Sequence, residues 1–238
     1  MSSLALTLPP LAFRRVLWRF PEAWVWAVSI GCGILLLLPA STAAEGHHHG
    51  HPGPLELSRF LWHWIPMVFA MMVPLQSGQL RLVAQRSLWR RRHLAMALYL
   101  CGFVLPWAAC GLIVWAGSQY LPIPPATWLV LAAAWQLTPY KRLALGACHR
   151  TRTLSPSGWP ANRDCLLAGL LASRACLASC WLLMAACGAF AHGLLLMIGL
   201  TIFMWVERLA DRPRQLVYAT ALLGLAGVMV LLESGKHH

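Results

Sequence analysis

The stretch CLLAGLLASRACLASCWLLMAACGAFAHGLLLMIGLTIFMW, residues 165–205, decides the fold class of this chain. It is apolar except for Arg174 and His192, and a helix needs about 20 apolar residues to cross a bilayer core. The stretch is long enough to cross twice, with Gly188 and the segment 191–193 as the predicted hairpin. Because backbone polar groups in lipid must be satisfied within a segment, we expect both crossings to be helical.

Similar apolar runs recur along the rest of the chain, at about residues 23–38, 60–76, 94–117, 125–137 and 216–232. Pro139 follows the fourth of these runs, and because proline lacks a backbone donor the helix is predicted to kink or stop there. Of the 238 residues, 59% are hydrophobic and 11% are charged, whereas a soluble domain carries about 25% charged residues. The predicted fold is therefore all-α, a polytopic transmembrane helical bundle of six or seven spans.

The basic residues are clustered between the apolar runs, and the densest cluster contains Arg81, Arg86 and the run 90–92. Lysine and arginine accumulate in the cytoplasmic loops of membrane proteins, so these clusters set the orientation. An amino terminus on the cytoplasmic side places nearly every cation inside. The formal net charge of +12 is explained in this way and requires no nucleic-acid partner.

We predict two parts of the chain: a basic, amphipathic cytoplasmic leader at 1–22, and a single membrane domain at 23–238 with a histidine-rich outer loop at 40–58. The first apolar run also resembles a signal peptide with a possible cleavage site at 41–44, and a retained anchor is the preferred interpretation. The expected location is a bacterial-type inner (plasma) membrane, crossed several times.

Arg174 is a charge within a predicted span, and a charge at that depth is commonly functional. We expect Glu207 or Asp164 as its partner. The alternative is that the arginine snorkels to the inner surface. No carboxylate lies well inside a predicted span, so a proton-coupled pump and a general acid or base are both unsupported.

The predicted outer loop contains four histidines within a short glycine-bearing tract: His47, His48, His49 and His51. Neutral imidazoles bind zinc, copper and nickel. A flexible tract of histidine and glycine is typical of metal capture. The alternative interpretation is a solvated polar loop with no ligand.

Soft donors recur at helical spacing on two of the predicted spans. The first stripe is His63, Met67 and Met71, followed by Met72, and the second is Cys176, Cys180, Met184 and Cys187. Thiolate and thioether groups select Cu(I), so both stripes are candidate copper ligands. The alternative is that methionine and cysteine only fill irregular helix contacts.

Three motifs together resemble a family called domain of unknown function 2182, described as predicted metal-binding integral membrane proteins. The motifs are Met67 with Ala70–Pro74, the segment Trp135–Lys141, and the segment Cys176–Met184. The chain departs from the family pattern at Ala144, where a cysteine is usual, and at His149, where an arginine is usual. The resemblance implies a helical membrane fold and a bound metal, without a reaction.

The preferred hypothesis is an integral membrane protein that captures, stores or transfers a soft transition metal at the outer face, with copper preferred and zinc or nickel as alternatives. The runner-up is a non-catalytic accessory subunit of a larger membrane complex, such as an oxidase or a monooxygenase. A metal-centred membrane enzyme ranks last. Expected partners are the lipid bilayer and either other membrane subunits or further copies of the chain, with no nucleic acid.

Overall fold

The computed structural model describes residues 20–37, 54–120, 123–148, 150, 152–155, 157–189, 194–210 and 214–234. Regular structure in this part of the chain is entirely helical, which confirms the all-α prediction. The α-helices are α1 (Ala23–Leu37), α2 (Pro54–Met71), α3 (Ser77–Arg86), α4 (Arg92–Tyr120), α5 (Pro125–Gln136), α6 (Pro139–Cys148), α7 (Gly158–Ala189), α8 (Leu194–Leu209) and α9 (Gln215–Ser234). Short 3₁₀ turns at Pro74–Gln76 and Trp89–Arg91 precede α3 and α4.

Three helical segments in the described ranges are long and apolar enough to cross a membrane: Glu56–Arg86, Trp89–Tyr120 and Gly158–Gly188. Two shorter apolar helices lie at Ala23–Leu36 and Gln215–Val230. These features are compatible with a membrane protein. The total of six or seven spans stays a prediction.

The helices are interrupted at both predicted breaks. Helix α5 ends at Gln136 and α6 begins at Pro139, because the proline fits the first turn of a helix but not its interior. Helix α7 ends at Ala189, and α8 begins at Leu194. Helix α7 begins earlier than predicted, at Gly158, whose φ of 78° is a conformation that favours glycine.

Helices α4 and α7 form the centre of the fold and approach each other at two glycines. A methyl group on Gly102 would collide with the backbone carbonyl of Leu166. A methyl group on Gly169 would likewise collide with the carbonyl of Tyr99. Small residues permit such backbone contact between packed helices, so this pair fixes the spacing of α4 and α7.

A buried tryptophan joins α2 to α4 towards the far end of α4. The indole Nε1 of Trp64 donates a hydrogen bond to the carbonyl oxygen of Trp107 at 2.8 Å. The Trp64 ring also fills the space beside Gly111 and approaches Gly188 of α7. Because the side chain is fully buried, its polar atom needs this partner.

The basic loops meet at the opposite end of the bundle, called here the basic end. Arg86 Nη1 donates to the carbonyl of Arg152 at 3.0 Å, and the Arg91 guanidinium binds the side chain of Asn162. These contacts join the end of α3 to the segment before α7, and the turn before α4 to the start of α7. The clustering of cations inferred from the sequence is therefore also a clustering in space.

The two carboxylates expected beside Arg174 bind other groups. Asp164 Oδ2 accepts hydrogen bonds from the hydroxyl of Ser155 at 2.6 Å and from its backbone N–H at 3.1 Å. Glu207 forms an ion pair with Lys141. The pairing predicted for Arg174 is therefore wrong, and its side chain is exposed. Snorkelling to the inner surface stays a prediction.

Candidate metal centre

A thioether and a thiol meet in the core between α2 and α7. Cys176 Sγ lies 3.7 Å from Met72 Sδ, and both side chains are buried. Met72 occupies the turn after α2, where the N–H groups of Met72 and Val73 both bond to the carbonyl of Val68. Pro74 cannot continue this ladder, so the chain turns here. The turn directs Met72, rather than Met71, towards Cys176.

A second thiol lies one helical turn further along α7. Cys180 is on the same face as Cys176, because the two residues are four apart on one helix. Ser179 Oγ lies 3.3 Å from Cys180 Sγ and donates to the carbonyl of Cys176 at 2.9 Å. Two thiols and one thioether therefore line the same buried region, which we call the sulfur cluster (Met72, Cys176 and Cys180).

A third thiol approaches from α6. Cys148 lies near Ser179 and Cys180, since α6 packs against α7. Burial raises the pKa of the Cys148 thiol above its ordinary value. At neutral pH the thiol is thus protonated, and a metal ion that binds its sulfur must displace that proton.

A buried ion pair lies beside the sulfur cluster. Lys141 Nζ is 2.9 Å from Glu207 Oε2, and each side chain is 1% exposed. The positive charge of Lys141 is also close enough to interact electrostatically with Cys180. Burying two charges is costly unless they are paired, so this contact holds α6 against α8. It also puts an ammonium group near the thiols.

Helix α5 ends against the same part of α7. Trp135 Nε1 donates to the carbonyl of Ala178 at 2.9 Å, and this carbonyl lies between the two cysteines in sequence. The next residue, Gln136, is fully buried, and neither of its side-chain polar atoms has a hydrogen-bond partner in the described part of the chain. Unpaired buried amides are rare, so packing alone does not explain the Gln136 side chain at the break between α5 and α6.

The predicted ligands fall into three groups: the residues of the sulfur cluster, three other methionines, and the histidines. Met72, Cys176 and Cys180 lie together. Met67, Met71 and Met184 are buried, but their sulfur atoms make no hydrogen-bonding contact within the described ranges. Met71 lines a different groove, between α1, α2 and α8.

Of the predicted histidine ligands, the structure describes only His63, which lies away from the sulfur cluster. His63 is half-buried on α2 and precedes Met72 by nine residues. At the helical rise of about 1.5 Å per residue, this separation is roughly 13 Å along the helix axis. His47, His48, His49 and His51 lie outside the described residues. Their contribution stays a prediction.

The donor set of the sulfur cluster suits one kind of metal ion. In the described part of the chain no three side chains of histidine, cysteine, aspartate or glutamate come together as a metal site. Structural zinc sites almost always use four such ligands, so the cluster does not fit zinc. Two thiols with one thioether are soft donors, which fit Cu(I).

Sequence reasoning missed the residues that α6 brings to the site. Lys141 and Cys148 are seven residues apart on one helix, so they lie on the same face. Ala144 and Leu145 between them are also buried, and this stripe was a usable signal. Glu207 carried no comparable signal, because only the packing of α8 shows that its carboxylate is buried.

The fold and the cluster together define a helical protein with soft sulfur donors in its buried core. A family model described as "PpoB2: Copper chaperone" matches residues 61–231. The chain belongs to this family, and the membership supports copper as its metal. No curated protein matched the chain. No solved structure matched it either.

Proposed function

We propose that this protein is a membrane-embedded copper chaperone that holds Cu(I) at the sulfur cluster and passes it on without catalysing a reaction. The observation that carries the proposal is the 3.7 Å contact between Cys176 and Met72, with Cys180 one turn away. The family match supplies the metal. To the family match the proposal adds that the protein lies in a bilayer, and it names the residues that bind the ion.

The charges around the cluster support binding of a monovalent soft ion. Cu(I) held by the thiolates of Cys176 and Cys180 carries one net negative charge. The ammonium group of Lys141 acts on Cys180 and favours that anion. A neutral thioether from Met72 adds a donor without adding further charge to the buried site.

Membrane placement and outer-face capture complete the proposal. Three apolar segments long enough to cross support a multi-pass arrangement in a plasma membrane, with the amino terminus inside. We place the tract His47–His51 outside, where it captures copper for delivery to the cluster. The resemblance to domain of unknown function 2182 fits the same proposal, because all three motifs fall within residues 61–231.

Anaerobic titration of the full-length protein with Cu(I) in detergent tests the metal site. The parent should bind copper tightly, and Cys176→Ser and Cys180→Ser should each lose it. Met72→Leu should keep the fold and weaken binding by about tenfold, since loss of one soft interaction of about 1.4 kcal/mol has that effect. Equal copper affinity in all three variants would refute the assignment.

Cys187→Ser is the matched control for this series. Cys187 is buried on the same helix and is 1% exposed, but it lies two turns beyond Cys180 and outside the cluster. This variant should bind copper like the parent. Circular dichroism of each variant separates loss of ligand from loss of fold.

A further inference from the structure

Two adjoining cavities open at the basic end of the bundle, each of about 430 Å³. The first is lined by three arginines, Arg86, Arg150 and Arg152, and we call it the arginine cavity. Gln79 and Leu82 line both cavities and form their common wall. A small molecule in one cavity is therefore next to the other.

The second cavity reaches the sulfur cluster through one residue. Its lining includes Cys148 and Arg208, and we call it the cysteine cavity. Cys148 lies on α6 beside Ser179 of α7, and Ser179 Oγ lies 3.3 Å from the sulfur of Cys180. The route from the cavity to the buried thiols is thus continuous through neighbouring side chains.

The two linings recognise different parts of one ligand. Guanidinium groups bind carboxylates, often with two parallel hydrogen bonds. A thiol binds a soft metal ion. Cavities of this size suit small molecules, which occupy sites of about 300–1,000 Å³. A ligand that satisfies both linings carries carboxylates at one end and Cu(I) at the other.

We infer that the cavities bind a small anionic thiol carrying Cu(I), and that Cys148 exchanges copper between this carrier and the sulfur cluster. The inference rests on the proposed function and names its exchange partner. The arginine cavity holds the carboxylate of the carrier. The cysteine cavity brings the copper–sulfur bond of the carrier next to Cys148.

The exchange is a ligand substitution in which copper stays Cu(I). The bond between copper and the carrier sulfur breaks, and a bond between copper and Cys148 Sγ forms. The proton of the Cys148 thiol moves to the carrier thiolate, which leaves as a thiol. A second substitution of the same kind passes copper to Cys180, whose proton returns to Cys148. The proton of Cys176 leaves to solvent when that sulfur joins the metal, so no oxidant or reductant is consumed.

The carrier charge can be varied without changing its thiol. N-acetylcysteine and N-acetylcysteine amide present the same sulfur, but only the first has a carboxylate. Each is loaded with Cu(I) under anaerobic conditions and mixed with the full-length protein in discs of zwitterionic lipid. This lipid excludes anionic headgroups as competing occupants of the arginine cavity.

The readout is the rate at which the protein acquires copper. The acid should load the parent about tenfold faster than the amide, the lower end of electrostatic focusing in charged clefts. Arg86→Gln with Arg152→Gln should remove this preference and leave the final copper content unchanged. Cys148→Ser should slow loading from both carriers.

Arg163→Gln is the control, because Arg163 is an exposed cation near the start of α7 that lines neither cavity. This variant should keep the preference for the acid. Equal rates for acid and amide, or a preference that survives the double arginine variant, would overturn the inference and leave copper binding intact. Absence of copper from the parent at equilibrium would instead reject the proposed function.

Discussion

Replacing Lys141 with methionine would leave the Glu207 carboxylate alone in the core. At the observed 2.9 Å, the attraction between the two charges is about 6 kcal/mol at an effective dielectric constant of about 20. Desolvation offsets part of this attraction, but removing one partner of a buried pair typically costs about 3–5 kcal/mol. We therefore expect Lys141→Met to lower the free energy of unfolding by about 3–5 kcal/mol.

The assay is denaturation in mixed micelles of increasing dodecyl sulfate content, followed by tryptophan fluorescence. Glu207→Leu should be similarly destabilised, because it strands the ammonium group. The double variant Lys141→Met/Glu207→Leu should recover to within about 1–2 kcal/mol of the parent, since a buried pair is often replaceable by apolar side chains. Single variants within about 1 kcal/mol of the parent would refute the reasoning.

Three further predictions concern the helix contacts and the outer loop. Gly169→Ala should destabilise the protein by about 1–3 kcal/mol in the same assay through overpacking, whereas Gly146→Ala, which meets open space, should be neutral or stabilising. Trp64→Phe should cost about 1–3 kcal/mol, because the hydrogen bond to the Trp107 carbonyl is lost in a buried site. Alanine at all four histidines of 47–51 should slow copper uptake from the outer side of reconstituted vesicles and leave the affinity of the cluster unchanged; unchanged uptake would count against outer capture.

The helices were predictable because their signals are local. Apolar runs, the proline at 139 and the glycines near 188 and 193 act within a few residues, and the breaks at Gln136 and Ala189 lie beside them. The soft-donor spacing on α7 likewise needs only the helical period. Cys176 and Cys180 lie within the sulfur cluster as a result.

The remaining parts of the site depend on contacts between distant segments. Met67, Met71 and Met72 were all candidate ligands. Periodicity along α2 favours the first two, but the helix ends at Met71 and the turn puts Met72 against Cys176. The pairing of Lys141 with Glu207 joins helices that are far apart in sequence. Neither result follows from spacing, because each is set by tertiary packing.

X-ray absorption spectroscopy of the copper-loaded protein tests the central claim most directly, since it identifies the atoms bound to the metal. The full-length chain, loaded with one equivalent of Cu(I), should show sulfur ligands alone. Cys176→Ser should lose that signature, and Cys187→Ser should keep it. A copper ion bound by nitrogen or oxygen, with no sulfur ligand, would contradict the account.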